Sequence, residues 1–205
     1  MERVRAIAFD IGEILIRLDF DGWVRALGLG HHGGLRPAME ALGGWDAFDA
    51  FERGRLDETG FRDWVLPRLP TRMSPQEFRV AWNAVLAGPV EGVEALVRGL
   101  SARVPVFALS NTNPTHLEHI LERYPWFSCF REVLASCDLG HRKPEPAIYE
   151  ILIRRVGLPA GEILFVDDRA ENVHGARALG ITAELCSGGP GELAALIARY
   201  GARLP

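Results

Sequence analysis

Five short apolar segments constrain the fold of this 205-residue chain more than any other feature of its sequence. Each is four to six residues long, and segments with helical spacing separate the later ones. Continuous apolar runs of this length between helices are typical of strands buried on both faces of a parallel sheet. The predicted strands lie at 4–9, 104–109, 132–136, 163–166 and 183–186. The alternation of strand and helix therefore predicts an α/β fold with helices on both faces of the sheet.

The middle of the chain, 17–88, shows no convincing strand but several signals for helix starts. Ser74 and Glu77 flank Pro75 in the pattern of a capping box, and Asp57 is a plausible N-cap for another helix. The segment 31–34 is predicted as a loop between helices. Four of the five tryptophans also lie in this region, where we expect them to pack as a small core rather than as a stacking platform: Trp23, Trp45, Trp64 and Trp82.

These patterns predict two domains. Residues 1–16 and 89–205 are expected to form the α/β core domain, and 17–88 an inserted helical cap domain. Four further helices are predicted in the core domain from apolar residues three or four positions apart. They lie at 90–100, 148–156, 173–179 and 192–200.

Composition excludes several classes of partner. A net charge of −4 and a pI near 5.9 argue against nucleic acid, because counterion release requires a concentrated basic surface. No apolar segment approaches the ~20 residues of a membrane span. The three cysteines show neither a disulfide framework nor a metal-binding spacing. We therefore expect a cytoplasmic protein that acts on a small metabolite; the oligomeric state stays open.

Polar residues follow the predicted strands where each strand ends. Asp10 follows the first strand, Ser110 and Asn111 the second, and the pair at 167–168 the fourth, while Lys143 lies in a loop before a helix. In a parallel sheet the ligand site lies at the carboxyl ends of the strands. A carboxylate there can attack phosphorus, and Mg²⁺ and a lysine can offset the repulsion between two anions. This set of residues therefore favours phosphoryl transfer.

Four motifs carry a resemblance to a known family: FDIGEIL, LSNTN, RKPEPAIY and FVDDRAEN. In this order they resemble the motifs of the haloacid-dehalogenase-like superfamily, closest to the bacterial α-glucose-1-phosphate phosphatase type and to the phosphatase domain of soluble epoxide hydrolases. The resemblance implies a Rossmann-like core with a helical cap and a Mg²⁺-dependent phosphatase for small phosphomonoesters, sugar phosphates among them, working through an aspartyl-phosphate intermediate.

The same resemblance assigns roles to individual residues. Asp10, Ser110 and Lys143 are implied to be catalytic, with Asp10 as the nucleophile. The phosphate is implied to bind Ser110, Asn111 and Lys143. The Mg²⁺ ligands are implied to be Asp10, the backbone carbonyl of Gly12 and Asp168. Asp167 and Asn172 are implied to surround and position these ligands.

Gly12 departs from the usual pattern of the superfamily, in which an aspartate at this position acts as general acid and base. We therefore expect substrates with good leaving groups, such as an anomeric phosphate. Glu13 is a conceivable substitute. Two other functions stay open: carbon–halogen hydrolysis by the same aspartate, which needs no Mg²⁺, and non-catalytic binding of a phosphorylated ligand or a protein.

Several residues outside the motifs have ordinary explanations. His116 and His119 have a spacing compatible with a metal site, but no further His or Cys cluster supports one, and structural roles are expected. Trp45, Phe48 and Phe51 either face the active site from the cap or pack in its core.

Overall fold

The computed structural model describes residues 4–30, 35–187 and 191–200. A five-stranded parallel sheet, ordered β5-β4-β1-β6-β7, lies at its centre. All five predicted strands are confirmed to within two residues at each end. They are β1 (Ala6–Phe9), β4 (Val106–Ser110), β5 (Glu132–Ala135), β6 (Ile163–Asp167) and β7 (Thr182–Leu185), and two short strands, β2 (Ile16–Leu18) and β3 (Leu86–Pro89), pair separately.

The central strands are buried on both faces because their side chains alternate between two apolar clusters. In β1, Ile7 and Phe9 belong to one cluster, and Ala6 and Ala8 belong to the other. Helices cover both faces, as the alternating pattern predicts. They are α6 (Val93–Ser101), α7 (Pro114–Arg123), α8 (Ser136–Leu139), α9 (Pro146–Val156), α10 (Ala170–Ala178) and α11 (Glu192–Tyr200).

Five more helices follow β2 and precede β3, and we call residues 19–85 the helical insert. Its helices are α1 (Phe20–Ala26), α2 (Leu35–Ala41), α3 (Trp45–Glu52), α4 (Glu58–Val65) and α5 (Pro75–Asn83). They bury an apolar cluster of their own. The capping box of Ser74 and Glu77 is present at the start of α5, and the Asp57 side chain accepts from the Gly60 N–H at the start of α4. Both predicted caps are confirmed.

The prediction that 17–88 contains no strand is wrong at both ends of that segment. Ile16–Leu18 and Leu86–Pro89 form an antiparallel pair, with Ile16 opposite Pro89. The two strands are three and four residues long, and their hydrogen-bonding partners lie about seventy positions apart, so no local periodicity marks them. This ribbon carries the chain into and out of the helical insert. The predicted loop at 31–34 lies outside the described residues.

None of the helices in the described ranges has the length and apolarity that a membrane span requires.

Candidate active site

The carboxyl ends of β1 and β6 bring a lysine between two carboxylates. The Lys143 Nζ lies 2.8 Å from Asp10 Oδ1 and 2.6 Å from Asp167 Oδ2. The three side chains are buried, and Asp10 is more than a hundred residues from the other two in the sequence. The ionic contacts therefore confirm that these three sequence-predicted residues meet at one edge of the sheet.

Asn111 holds the loop that carries this lysine. Its side-chain amide donates to the Lys143 carbonyl at 2.9 Å, and its Oδ1 accepts from the Lys143 N–H at 2.7 Å. Because both ends of the amide contact the backbone of Lys143 in this way, the Asn111 side chain positions the lysine. Gly175 in α10 lets the helix approach the same loop, since an added Cβ would lie 2.9 Å from the Pro144 carbonyl oxygen.

Asp167 and Asp168 have different environments although they are adjacent. The carboxylate of Asp167 accepts from Lys143, from the Asn172 side chain at 2.9 and 3.1 Å, and from the Arg169 N–H at 2.9 Å. These bonds occupy both of its oxygens. Asp168 is more exposed and lines the cavity described below, so it is the member of the pair with oxygens available to a metal ion.

The donor set fits a divalent cation. Asp10, Asp167 and Asp168 each place a carboxylate oxygen within 4.8 Å of the others. Burial, and repulsion from Asp167 and Asp168, raise the pKa of Asp10 to about 7 despite its contact with Lys143. Burial and Asp167 raise the pKa of Asp168 to about 6. One ammonium does not offset three carboxylates, and a hard cation with oxygen ligands would supply the missing positive charge.

Lys143 itself stays charged. Burial opposes the charged form, but attraction by Asp10 and Asp167 outweighs burial and raises the pKa of Lys143. Ser110 ends β4 and lines the same cavity, with its hydroxyl 3.5 Å from the Asn111 carbonyl oxygen. A hydroxyl with such a weak internal partner is available to a phosphoryl oxygen.

Gly12 and Glu13 lie in the turn before β2, two and three residues after Asp10. The Gly12 carbonyl accepts from the Ile14 N–H at 2.6 Å, and the Glu13 carboxylate accepts from the Leu18 N–H at 3.2 Å. A Cβ added at Gly12 would lie 3.2 Å from Leu18 Cδ1. Leu18 therefore crowds the place where an acidic side chain would begin.

A cavity of about 360 Å³ lies above these residues, between the sheet edge and the helical insert. Trp45 and Phe48 line it, whereas Phe51 is absent from its lining and is fully buried against Phe61 and Trp82. The sequence did not decide whether these three aromatic residues face the active site or pack in the core. In the structure, Trp45 and Phe48 face the cavity and Phe51 packs in the core.

His116 also lines the cavity, in a structural setting rather than among metal ligands. It accepts from the Asn113 side chain at 3.0 Å, and its other ring nitrogen lies 3.1 Å from the Trp82 carbonyl oxygen. Burial lowers the pKa of His116 to about 4, which keeps the ring neutral. Asn113 caps α7, followed by Pro114 as predicted.

Sequence reasoning missed an ionic network that joins the insert to the lysine loop. Arg142 Nη1 lies 2.7 Å from Asp49 Oδ1, and its Nη2 lies 2.5 Å from Glu52 Oε2, at an angle outside hydrogen-bond geometry. Arg53 joins Asp49 at 2.7 Å and Glu145 at 2.5 Å. The contacts of Arg142 with Asp49 and Glu52 form only in the folded chain, so apart from the place of Arg142 beside the motif lysine, the sequence carries no signal for them. The pair of Asp49 and Arg53 is different, because its spacing of four residues is a signal that helical periodicity offers.

Residues 4–180 match the family model of the haloacid dehalogenase-like hydrolases. Two characterised proteins are similar in sequence. A D-ribitol-5-phosphate phosphatase from Bacteroides thetaiotaomicron is 28% identical over 86% of this chain and 89% of its own length. The sesquiterpene phosphatase astK from Aspergillus oryzae is 31% identical over 66% of this chain and 70% of its own length.

A solved structure supports the fold. A HAD family enzyme from Bacteroides thetaiotaomicron, in complex with magnesium and inorganic phosphate, superposes with a TM-score of 0.80 at 25% identity. The match covers 91% of this chain and 96% of that one. The mixed α/β chain with its five-stranded parallel sheet therefore has the Rossmann-like fold of that family.

Proposed function

Because the chain belongs to the haloacid dehalogenase-like hydrolase family, we propose that it is a Mg²⁺-dependent phosphatase that hydrolyses small phosphomonoesters through an aspartyl-phosphate on Asp10. One observation carries the proposal: the Lys143 Nζ lies 2.8 Å from Asp10 Oδ1, beside three clustered carboxylates. An attacking carboxylate, a fixed cation and a metal-binding set are what phosphoryl transfer requires. The two phosphatases named above support this choice.

The proposed reaction has two steps. An oxygen of Asp10 forms a bond to phosphorus while the bond from phosphorus to the leaving oxygen breaks, and the departing alkoxide takes a proton from water, leaving hydroxide, because Gly12 offers no proton. Water then attacks the phosphorus of the aspartyl-phosphate, and the bond from phosphorus to the Asp10 oxygen breaks. This step releases inorganic phosphate and restores the carboxylate, and the proton lost by the attacking water neutralises the hydroxide. Lys143 and the Ser110 hydroxyl hold phosphoryl oxygens in both steps.

Asp10, Asp168 and the Gly12 carbonyl would hold the metal ion, with Asp167 and Asn172 behind them. Bound Mg²⁺ supplies charge that lets a carboxylate approach an anionic phosphate. Asp167 holds the lysine rather than the ion, since its oxygens are already hydrogen-bonded.

We further propose that residues 17–88 act as a cap domain over the core formed by 1–16 and 89–205. The helical insert forms the wall of the cavity that faces Asp10, so its closure would exclude water from the first step. The substrate would be a small phosphorylated metabolite of the cytoplasm.

The test is turnover of acetyl phosphate, a panel of sugar phosphates and alkyl phosphates, each with Mg²⁺ and with EDTA. We expect Mg²⁺-dependent release of phosphate, and we expect Asp10→Asn to abolish it while Asp63→Asn, an exposed aspartate in α4, leaves it unchanged. Full turnover by Asp10→Asn would refute the covalent mechanism.

Beryllium fluoride with Mg²⁺ separates this function from the alternatives. A competent Asp10 forms a tetrahedral adduct, visible by ¹⁹F NMR, whereas a protein that only binds its ligand does not. Turnover of a 2-haloacid in EDTA, with no phosphatase activity, would instead indicate a dehalogenase, the function that the missing acid at Gly12 favours.

A further inference from the structure

The cavity above Asp10 has a polar floor and an apolar wall. The floor is formed by the ends of the core strands, and the wall by the helical insert. Aromatic rings dominate that wall: Phe20, Trp23, Trp45, Phe48 and Trp82. Trp23 and Trp82 meet edge to face with centroids 5.2 Å apart, and Trp45 lies 5.0 Å from Phe48.

These rings present carbon to the cavity. The indole nitrogens of Trp23 and Trp82 are buried without a hydrogen-bond partner among the described residues, beneath the accessible surface of the wall. The aliphatic side chains of Leu18, Leu35 and Leu86 extend the same surface. A ligand group that enters this space meets hydrocarbon on most of its sides.

Several polar side chains around the wall are already engaged within the protein, although the buried Arg142 Nε and Glu52 Oε2 atoms have no hydrogen-bond partner among the described residues. Glu52 is paired with Arg142 at 2.5 Å, and Glu13 accepts from a backbone N–H at 3.2 Å. His116 is bonded at both ring nitrogens, and the Asn111 amide is bonded to the lysine loop. A substrate with many hydroxyl groups would lose more hydrogen bonds to water there than the few open polar atoms could replace, which is unfavourable.

We propose that the leaving group of the substrate is an apolar alcohol, rather than the sugar of an anomeric phosphate expected from the sequence, and that its hydrocarbon part occupies this wall while the phosphate lies at Asp10 and Lys143. The inference rests on the proposed function and narrows its substrate class. A volume of about 360 Å³ lies within the range of small-molecule sites.

The experiment compares two phosphates with the same carbon number and the same primary leaving oxygen, n-pentyl phosphate and D-ribitol 5-phosphate, using the Mg²⁺-loaded enzyme. We expect kcat/KM to be at least about 100-fold higher for pentyl phosphate, the order of discrimination that an apolar pocket achieves against an added hydroxyl. Along the series from ethyl to hexyl phosphate, kcat/KM should rise about fourfold per methylene.

A matched pair of variants locates the effect. Trp45 and Trp64 are both half-buried in the helical insert and both lie under an arginine, but only Trp45 lines the cavity. Trp45→Gln should reduce the rise of kcat/KM with alkyl chain length. Trp64→Gln should leave this rise unchanged. Thermal unfolding of each variant confirms that it is folded.

Equal or better turnover of D-ribitol 5-phosphate would overturn the apolar-substrate proposal and leave the phosphatase intact. A kcat/KM that does not rise with alkyl chain length would overturn the apolar-substrate proposal as well. If neither these esters nor acetyl phosphate were hydrolysed, and no beryllium fluoride adduct formed, the proposed function and this inference would fail together.

Discussion

Gly12 leaves the cavity without an acid two residues after the proposed nucleophile. The backbone there does not have a positive φ, so glycine is not required by conformation. The obstacle to a side chain is Leu18, whose Cδ1 would lie 3.2 Å from an added Cβ. Leu18 and Gly12 are therefore complementary: one fills the space that the other leaves.

This pairing predicts the effect of restoring an acid. The double variant Gly12→Asp/Leu18→Ala is compared with the single variant Leu18→Ala. We expect kcat for n-pentyl phosphate to be about 100-fold higher in the double variant, which is the lower end of the effect of general acid catalysis. The reason is that the alcohol of this substrate is a poor leaving group. Acetyl phosphate should change little because its leaving group needs no proton. Steady-state kinetics measure both.

The matched control is Gly12→Asn/Leu18→Ala, which has nearly the same shape and no carboxyl group. A rise of the same size in this control, or an equal rise for both substrates, would contradict a role for the missing acid.

Helix α7 joins the core to the insert through the ring of His116. The ring stacks on Trp82 of α5 with centroids 5.6 Å apart, and its hydrogen bonds are those of a neutral imidazole. The pKa of His116 is lowered to about 4, mainly by burial, so folding disfavours the protonated ring. A proton that binds the unfolded chain near pH 6.5 binds the folded chain only near pH 4.

The contact therefore predicts a pH dependence with a definite sign. The contribution of His116 to the free energy of unfolding is fully present above pH 6.5. It is lost as the pH falls toward about 4, because only the unfolded state gains a proton in that pH range. The loss is up to about 3 kcal/mol at 1.4 kcal/mol per pH unit, and less where water screens the ring. Urea unfolding between pH 4 and 7 measures it.

His116→Phe keeps a ring against Trp82 and removes the titration. The free energy of unfolding of this variant should lack the pH dependence that His116 contributes. Loss of the two ring hydrogen bonds gives a constant difference from the parent protein, and a pH-dependent difference should be added to it only below about pH 6.5. An imidazole signal of His116 that titrates near pH 6.5 by NMR would show that this explanation is wrong.

The helical insert and the core are held together by charges as well as by the ribbon of β2 and β3. Arg142 contacts Asp49 and Glu52 of α3, and the Ser136 hydroxyl lies 2.6 Å from the Glu52 carbonyl oxygen. Gly54, just after α3, packs so closely on the core that an added Cβ would meet the Cys137 carbonyl oxygen at 2.0 Å. The insert is thus docked on α8 and on the loop that carries Lys143.

Arg142→Met should destabilise the protein by about 3 kcal/mol or more, because it leaves the buried Glu52 without its cation. Adding Glu52→Gln should recover much of this loss. The measurement is the free energy of unfolding in urea, followed by circular dichroism.

Arg98→Met is the control, since Arg98 pairs with Glu94 at 2.9 Å on an exposed face of α6. This substitution should lower the free energy of unfolding by about 0.5 kcal/mol or less. Similar losses for Arg142→Met and Arg98→Met would show that the network does not hold the insert in place.

Local sequence patterns determined much of this protein. Strands β1, β4 and β6 follow from continuous apolar runs, and the edge strands β5 and β7 from shorter apolar runs that include a glutamate. The caps at Asp57, Ser74 and Asn113 follow from residues whose partners lie three positions away. The site at the strand ends was predictable for the same reason: a parallel sheet places the residues after its strands at one edge. Asp10, Lys143 and Asp167 accordingly meet there.

Only the tertiary structure decided the contacts between distant segments. The β2–β3 ribbon, the pairing of Arg142 with Asp49 and Glu52, and the use of the Asn111 amide to hold Lys143 each join residues at least thirty positions apart. The same holds for the wall of the cavity, where Trp45 faces the ligand space and Phe51 the core. Periodicity reports which side of its own helix or strand a residue occupies, whereas these contacts depend on how separate elements pack.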